Sequence, residues 1–316
     1  MKLALLTLAA TLAALAADPP QFDISNTNIK AKLYIPDAAS GYYRATRFDW
    51  AGALASLDWK GHSYFGKWFD SYDPKIHDSI TGPVEEFSAL GYDEAAQGGN
   101  FIKIGVGALV KPAEPAYQQF KTYDIADPGR WIVITASDHV DFLHYLNDTN
   151  GYAYEYRKTV RITLNGLVLD HGLRNTGKKT ISTSVYEHNF YMLDAQPSGP
   201  ALSVKLPFAP KAAANLRGLA EIRGNEIAYL KELQPRETIL TDISGFSSKV
   251  TDYDIRVENR ATGAAVRQTS DRPMSKMVFW SVRNTVSPEA YIDLTVEPGK
   301  EITWRIQYEF YTVAKQ

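Results

Sequence analysis

The sequence predicts an all-β fold, built as one large antiparallel β-sandwich. Three observations carry that expectation. Short runs rich in β-branched and aromatic residues recur with the two-residue alternation of half-buried strands. Turn-forming Gly, Pro, Asn and Asp punctuate those runs. Long stretches with the 3.6-residue apolar spacing of an amphipathic helix are missing. Many strands with few helices point to two sheets packed face to face.

The elements follow in chain order. Residues 1–17 have the three parts of a secretory signal: Lys2, the apolar stretch Leu3 to Leu12, and Ala14-Leu15-Ala16 as a small-residue cleavage site. The apolar run is too short, and too rich in Ala and Thr, for a membrane span. The expectation is therefore a periplasmic or secreted protein with no stable membrane insertion after cleavage. Residues 18–316 would form its single domain. Residues 18–30 read as an arm or first strand. Strand-like runs follow at Ala31–Ile35, Trp131–Thr135, Thr159–Leu164, Val278–Val282 and Ile302–Tyr308. Asn165-Gly166 lies between two such runs, a strong hairpin signal, and Pro298-Gly299 precedes the last strand. Two short helices are expected, at 83–90 and 211–222.

Composition bounds the function. The chain has 316 residues and no Cys. That length buries a sizeable core without disulfides, and the lack of Cys excludes thiol catalysis, Cys-zinc sites and iron–sulfur clusters. A formal net charge of −2 argues against a nucleic-acid partner. The 19 Tyr and 6 Trp serve sheet packing and also suit stacking on sugar faces. Two motif near-misses are set aside. Gly172 to Lys179 almost spells a phosphate-binding loop, but Lys179 replaces the final Ser/Thr and a β-type run follows. His139-Val140-Asp141 imitates part of an iron triad, with His171 or His188 as the distant third ligand. No metal and no cofactor are expected.

Three ordered segments carry a resemblance. Residues 41–69 read GYYRATRFDWAGALASLDWKGHSYFGKWF, 171–194 read HGLRNTGKKTISTSVYEHNFYMLD, and 277–311 read MVFWSVRNTVSPEAYIDLTVEPGKEITWRIQYEFY. Together they resemble the opening hairpins, central Asn-Thr-Gly and His motif, and C-terminal strands of the galactose mutarotase-like (aldose 1-epimerase) superfamily. The resemblance implies a general acid at His188 and a general base at Glu289. The usual His-Pro-Tyr-Phe is His-Asn-Phe-Tyr here, and the usual Glu-Pro order is Pro-Glu.

The implied chemistry is simple. Opening an aldose hemiacetal needs one group to take the O1 proton and another to protonate the ring oxygen. A His and a Glu suit such transfers, without a metal. Substrate-binding candidates are Arg44 and Arg47, whose forked donors suit hydroxyls or an anionic sugar, with His62, His77, Glu86 and Arg283. The expected partner is a small sugar or oligosaccharide; the sequence leaves the oligomeric state open. Two alternatives stand beside the epimerase: an exported polysaccharide lyase or glycoside hydrolase, using carboxylates among Glu85, Glu86, Glu187 and Glu289, and a carbohydrate-binding protein without catalysis.

Overall fold

The computed structural model describes residues 18–316, so the expected signal segment lies outside the described residues. Two sheets dominate. One has ten strands and the other six. The described residues contain no α-helix, only the short 3₁₀ turns Leu193–Ala195 and Val250–Asp252. No described helix is long and apolar enough to cross a membrane. The all-β sandwich expectation is met.

The ten-stranded sheet shows how local sequence sets the fold. In the strand Tyr152–Thr163, Tyr154, Tyr156, Lys158, Val160 and Ile162 are buried, while Glu155, Arg157, Thr159 and Arg161 point the other way. The turn Leu164-Asn165, one residue earlier than the Asn165-Gly166 signal, joins this strand to Gly166–Asn175. Gly166 is required by space, because a Cβ there would lie 2.2 Å from the carbonyl oxygen of Tyr308. The last strand, Glu301–Thr312, buries Trp304, Ile306, Tyr308 and Phe310 and exposes the residues between them.

The six-stranded sheet runs, in spatial order, Lys211–Ala212, Ile239–Ser244, Lys276–Val282, Thr285–Val296, Ile181–His188 and Val84–Phe87. One face packs on the larger sheet. Phe87, 1% exposed, meets Tyr156 and Trp304 edge-on at 5.4 and 6.1 Å. Burying such a ring stabilises by roughly 1.5–3 kcal/mol. A four-stranded sheet (Gln21–Ser25, Ile29–Tyr34, Leu54–Trp59, His62–Phe65) and a three-stranded one (Asn100–Lys103, Gly107–Val110, Ile125–Asp127) complete the framework.

Both expected helices are strands instead. Val84–Phe87 is a wholly buried strand paired with Ile181–His188. Its two glutamates go to opposite faces, where cations meet each one, and this outweighs their value as helix-start acids. In 211–222, Lys211–Ala212 joins the smaller sheet and Ala220–Arg223 the larger one. Arg217 and Gly218, at φ 61° and 67°, adopt left-handed conformations that a helix excludes.

Candidate functional site

The face of the six-stranded sheet turned away from the core forms the floor of a cleft of about 480 Å³, a size typical of small-molecule sites. Strand periodicity builds that floor. Tyr186 pairs with Tyr291 across neighbouring strands. Two residues further along, His188 comes beside Glu289, which pairs on its other side with Val278. Lys276 and Trp280 lie two residues either side of Val278 and share its face. Arg47, Asp78, Gln119 and Phe120 come from irregular segments and form one wall.

His188 Nε2 lies 3.3 Å from Glu289 Oε1. Both side chains are buried in the sheet floor. The imidazole stacks on Phe190 at 3.7 Å, with Trp280 edge-on at 5.1 Å and Phe48 at 5.5 Å. This aromatic box fixes the ring and dries it. Burial, helped by the Arg47 charge, holds His188 well below the usual histidine range. Burial pushes the Glu289 carboxyl up to about 8, against the pull of Arg47. At neutral pH the pair therefore holds one proton, on the carboxyl, facing a neutral imidazole. His188 Nδ1 is buried with no hydrogen-bond partner.

Arg47 organises the wall. Its Nε donates to Glu86 Oε2 at 2.8 Å, one terminal nitrogen pairs with Asp78, and the other reaches Tyr186 Oη at 3.2 Å. Its guanidinium lies over the rings of Phe48 and Phe120, at 4.4 and 4.8 Å. Tyr186 Oη and Gln119 Nε2 donate to the same Glu86 oxygen, at 2.6 and 2.9 Å. Burial works to raise Glu86, but Arg47, Lys103 and these hydrogen bonds hold it below the ordinary carboxylate range. The Arg47 charge is thus already matched by two carboxylates.

Of the residues singled out in the sequence, His188, Glu289 and Arg47 line one cleft, and Glu86 lies directly behind Arg47. His77 stands one step back, with Nε2 3.0 Å from Asp78 Oδ2 and its ring beside Phe120. Arg44, His62 and Arg283 do not line the cleft. Arg44 donates to the carbonyl of Ala39. His62 bonds Asp194 at 2.8 Å, at the edge of the four-stranded sheet. Arg283 sits in the tight turn between two floor strands and pairs with Glu232 at 2.7 Å. These three lie in an irregular segment, at a sheet edge and in a turn, where side-chain direction toward the cleft does not follow from strand alternation. Tyr186 and Tyr291 went unnoticed, although each is two residues from His188 or Glu289 and so must share its face. Asp78, Gln119 and Phe120 sit on irregular segments and gave no signal.

A second ionisable cluster lies between the sheets. Glu85, His171 and Glu187 each offer a ligand atom within 4.8 Å of the others, the spacing of a metal site. Lys158 already takes the cation's place. Its Nζ is 2.5 Å from Glu85 Oε2 and donates to the Ala51 carbonyl at 2.9 Å. His171 Nε2 is 2.6 Å from Glu85 Oε1. Burial, and the charge of Glu85, push Glu187 well above the usual carboxylate range. A group held protonated beside a lysine is a poor ligand set. His139 pairs with Asp138 at 2.8 Å and lies 3.8 Å from Asp141, and no third ligand from His171 or His188 joins them.

No family profile matches the chain, and no curated protein sequence matches it. Solved structures do. A putative aldose 1-epimerase from Escherichia coli K12 superposes with a TM-score of 0.57 at 11% identity, over 93% of this chain and 99% of that one. A galactose mutarotase-like protein from Lactobacillus casei gives 0.56 at 12% identity, over 92% and 100%. The GalM/aldose epimerase homologue from C. elegans gives 0.55 at 15% identity, over 93% and 99%.

Proposed function

Because this chain has the galactose mutarotase-like fold, we propose that its cleft binds an aldose and interconverts the anomers by opening and reclosing the ring. The observation that carries this reading is the side-by-side placement of His188 Nε2 and Glu289 Oε1 on one cleft floor, 3.3 Å apart. The hemiacetal hydroxyl and the ring oxygen hang from the same carbon. A base and an acid set next to each other on one side of the sugar can therefore reach both, and this pair is so placed.

The protonation directions support one assignment of roles. Neutral His188 takes the proton from the O1 hydroxyl. The bond from the anomeric carbon to the ring oxygen breaks, and the protonated Glu289 gives its proton to that oxygen. The open aldehyde then turns about its carbon–carbon bond. Return of both protons closes the ring on the other carbonyl face and restores the starting pair. This reverses the acid and base roles that the resemblance implied, and it keeps the count of one proton in the pair. Arg47, neutralised by Glu86 and Asp78, serves hydroxyl groups rather than an anionic sugar. Trp280 and Phe190 supply apolar surface for a sugar face.

The two-carboxylate alternative finds less support. Of its four candidate glutamates, Glu85 and Glu187 are buried between the sheets and Glu86 is bound to Arg47. Residues 1–17, read as a signal, would deliver this activity to the periplasm or the exterior.

Anomer exchange followed by NMR on glucose and galactose tests the proposal, with His188→Ala and Glu289→Gln in parallel. Exchange well above the buffer rate, lost in both variants, is expected. Wild-type exchange at the buffer rate for every sugar would overturn it.

A further inference from the structure

The cleft does not end at the His188–Glu289 pair. A second hollow, of about 350 Å³, shares Gln119, Tyr186 and Tyr291 with it. A third, of about 320 Å³, shares Ser88, Ala89 and Tyr117 with the second and reaches Gly91 and Glu94. Hollows that share wall residues adjoin, and in this order they trace a trough. It passes Tyr186 and Gln119, whose side chains meet on Glu86, follows the edge strand Val84–Phe87, and ends past Tyr117.

From this continuity we propose that the site takes the reducing end of an uncharged oligosaccharide, whose remaining sugar units lie in the trough. The inference rests on the reading above for the end that occupies the cleft. The anomeric carbon must lie over His188 and Glu289, so the chain can extend only from the far side of that sugar.

The lining fits a neutral, hydroxyl-rich ligand. It offers the Tyr291 phenol, the Ser88 hydroxyl, the Gln119 amide and the ring of Tyr117. Glu86 is matched by Arg47, and Glu94 by Lys179 at 2.6 Å, while Asp93 at the far end has no ion pair among the described residues and so disfavours an anionic sugar. Tyr117 is the central residue. Its half-buried ring is stiffened by stacking on Tyr123 at 5.5 Å, while its buried Oη has no hydrogen-bond partner. That hydroxyl is closed off from the trough, so what Tyr117 presents to a ligand is its ring, a stacking surface for a sugar face. A peptide added as an extra strand fits poorly, because the open edge is already used. The Asp49 N–H donates to the Glu85 carbonyl at 2.9 Å, and Leu90 exchanges hydrogen bonds with Ile102.

Calorimetric binding and NMR anomer exchange at the reducing end, measured on the same samples, test this. The probes are glucose and its α-1,4- and β-1,4-linked di-, tri- and tetrasaccharides. Wild-type affinity is expected to rise at least about tenfold from glucose to the tetrasaccharide of one series. Ser88→Trp, which fills the trough from an exposed position, should abolish the gain and leave glucose unchanged. Tyr117→Ala, which removes the ring lining the trough, should reduce it. Affinity independent of chain length, or a gain that survives Ser88→Trp, overturns the proposal. Exchange that is fast but equal at every length would sink the trough and leave the ring-opening chemistry standing. A length-dependent gain in binding without exchange would do the reverse.

Discussion

Two neighbouring strands, Val84–Phe87 and Ile181–His188, carry ionisable residues on both faces, and the faces have different fates. Glu85 and Glu187 turn toward the larger sheet and meet Lys158 and His171. Glu86 and His188, one residue on, turn toward the cleft and meet Arg47 and Glu289. Both clusters are buried and both hold shifted protons. Asp49 is pushed up to about 8 by burial and by Glu85, as Glu289 is by burial. A perturbed acid therefore does not mark a site here. The cleft cluster has a void beside it, whereas the inner cluster is packed between sheets and holds them together.

The inner cluster should give the largest effect. Lys158→Met leaves Glu85 buried beside a methyl group, with only His171 as partner. Loss of one member of a buried pair typically costs about 3–5 kcal/mol, and denaturant unfolding would measure it. A loss below about 1 kcal/mol would mean that water or protonation relieves Glu85, and that the cluster is not the clamp described.

The cleft pair should act first on rate, and on folding through the pH dependence of stability. Glu289→Gln keeps shape and removes the transferable proton, so exchange should fall by about a hundredfold or more. The pH dependence sharpens the point. With Glu289 at about 8, wild-type activity should fall as pH rises through 8, when the acid loses its proton. No acid limb should occur in the usual histidine range, since His188 is held well below it. Stability follows the same protons. The folded state keeps the Glu289 proton between the ordinary carboxylate range and about pH 8, and the unfolded chain does not. That contribution is fully present at low pH and is lost as pH rises through the folded value. Glu289→Gln should flatten this loss, leaving the opposite contribution of His188, which weakens the fold as pH drops through the ordinary histidine range. Parallel slopes for variant and wild type between pH 5 and 8 would contradict the assignment.

Arg47→Lys asks whether wall geometry matters beyond charge. A guanidinium serves Glu86, Asp78 and Tyr186 from separate nitrogens and stacks between two phenylalanines; an ammonium does neither. Tenfold or greater loss of sugar affinity is expected, about 1.4 kcal/mol, with a smaller change in rate at saturation. Equal affinity in the lysine variant would reduce Arg47 to a counter-ion.

The sequence disclosed what depends on strand periodicity. His188 and Glu289 came from the resemblance to the superfamily, whereas the hairpin near Asn165 and the alternating last strand were legible because turns have their own residues and a strand repeats its facing every two residues. The same rule, applied once more, would have found Tyr186 and Tyr291. It could not find Asp78, Gln119 or Phe120, whose segments are irregular and gain direction only from what they pack against. Nor could it tell Glu85 from Glu86. Two adjacent acids look alike until the two sheets assign one to the core and one to the cleft. The helix expected at 211–222 rested on alanine content, and tertiary pairing of its two ends with different sheets overrode that propensity.

The smallest expected effect separates proximity in sequence from proximity in space. Arg283 lies six residues before Glu289, yet its guanidinium pairs with Glu232 in a shallow hollow beside Trp68 and Phe69. Both partners are more than two-fifths exposed, so the pair is worth at most about 1 kcal/mol and weakens with salt. Arg283→Ala should leave anomer exchange and sugar affinity unchanged and shift unfolding by roughly 0.5 kcal/mol or less. If it instead lowered the rate as Glu289→Gln does, the turn would be transmitting strain into the two floor strands it joins. The cleft floor would then be a hinged surface rather than the rigid one that the His188–Glu289 geometry requires.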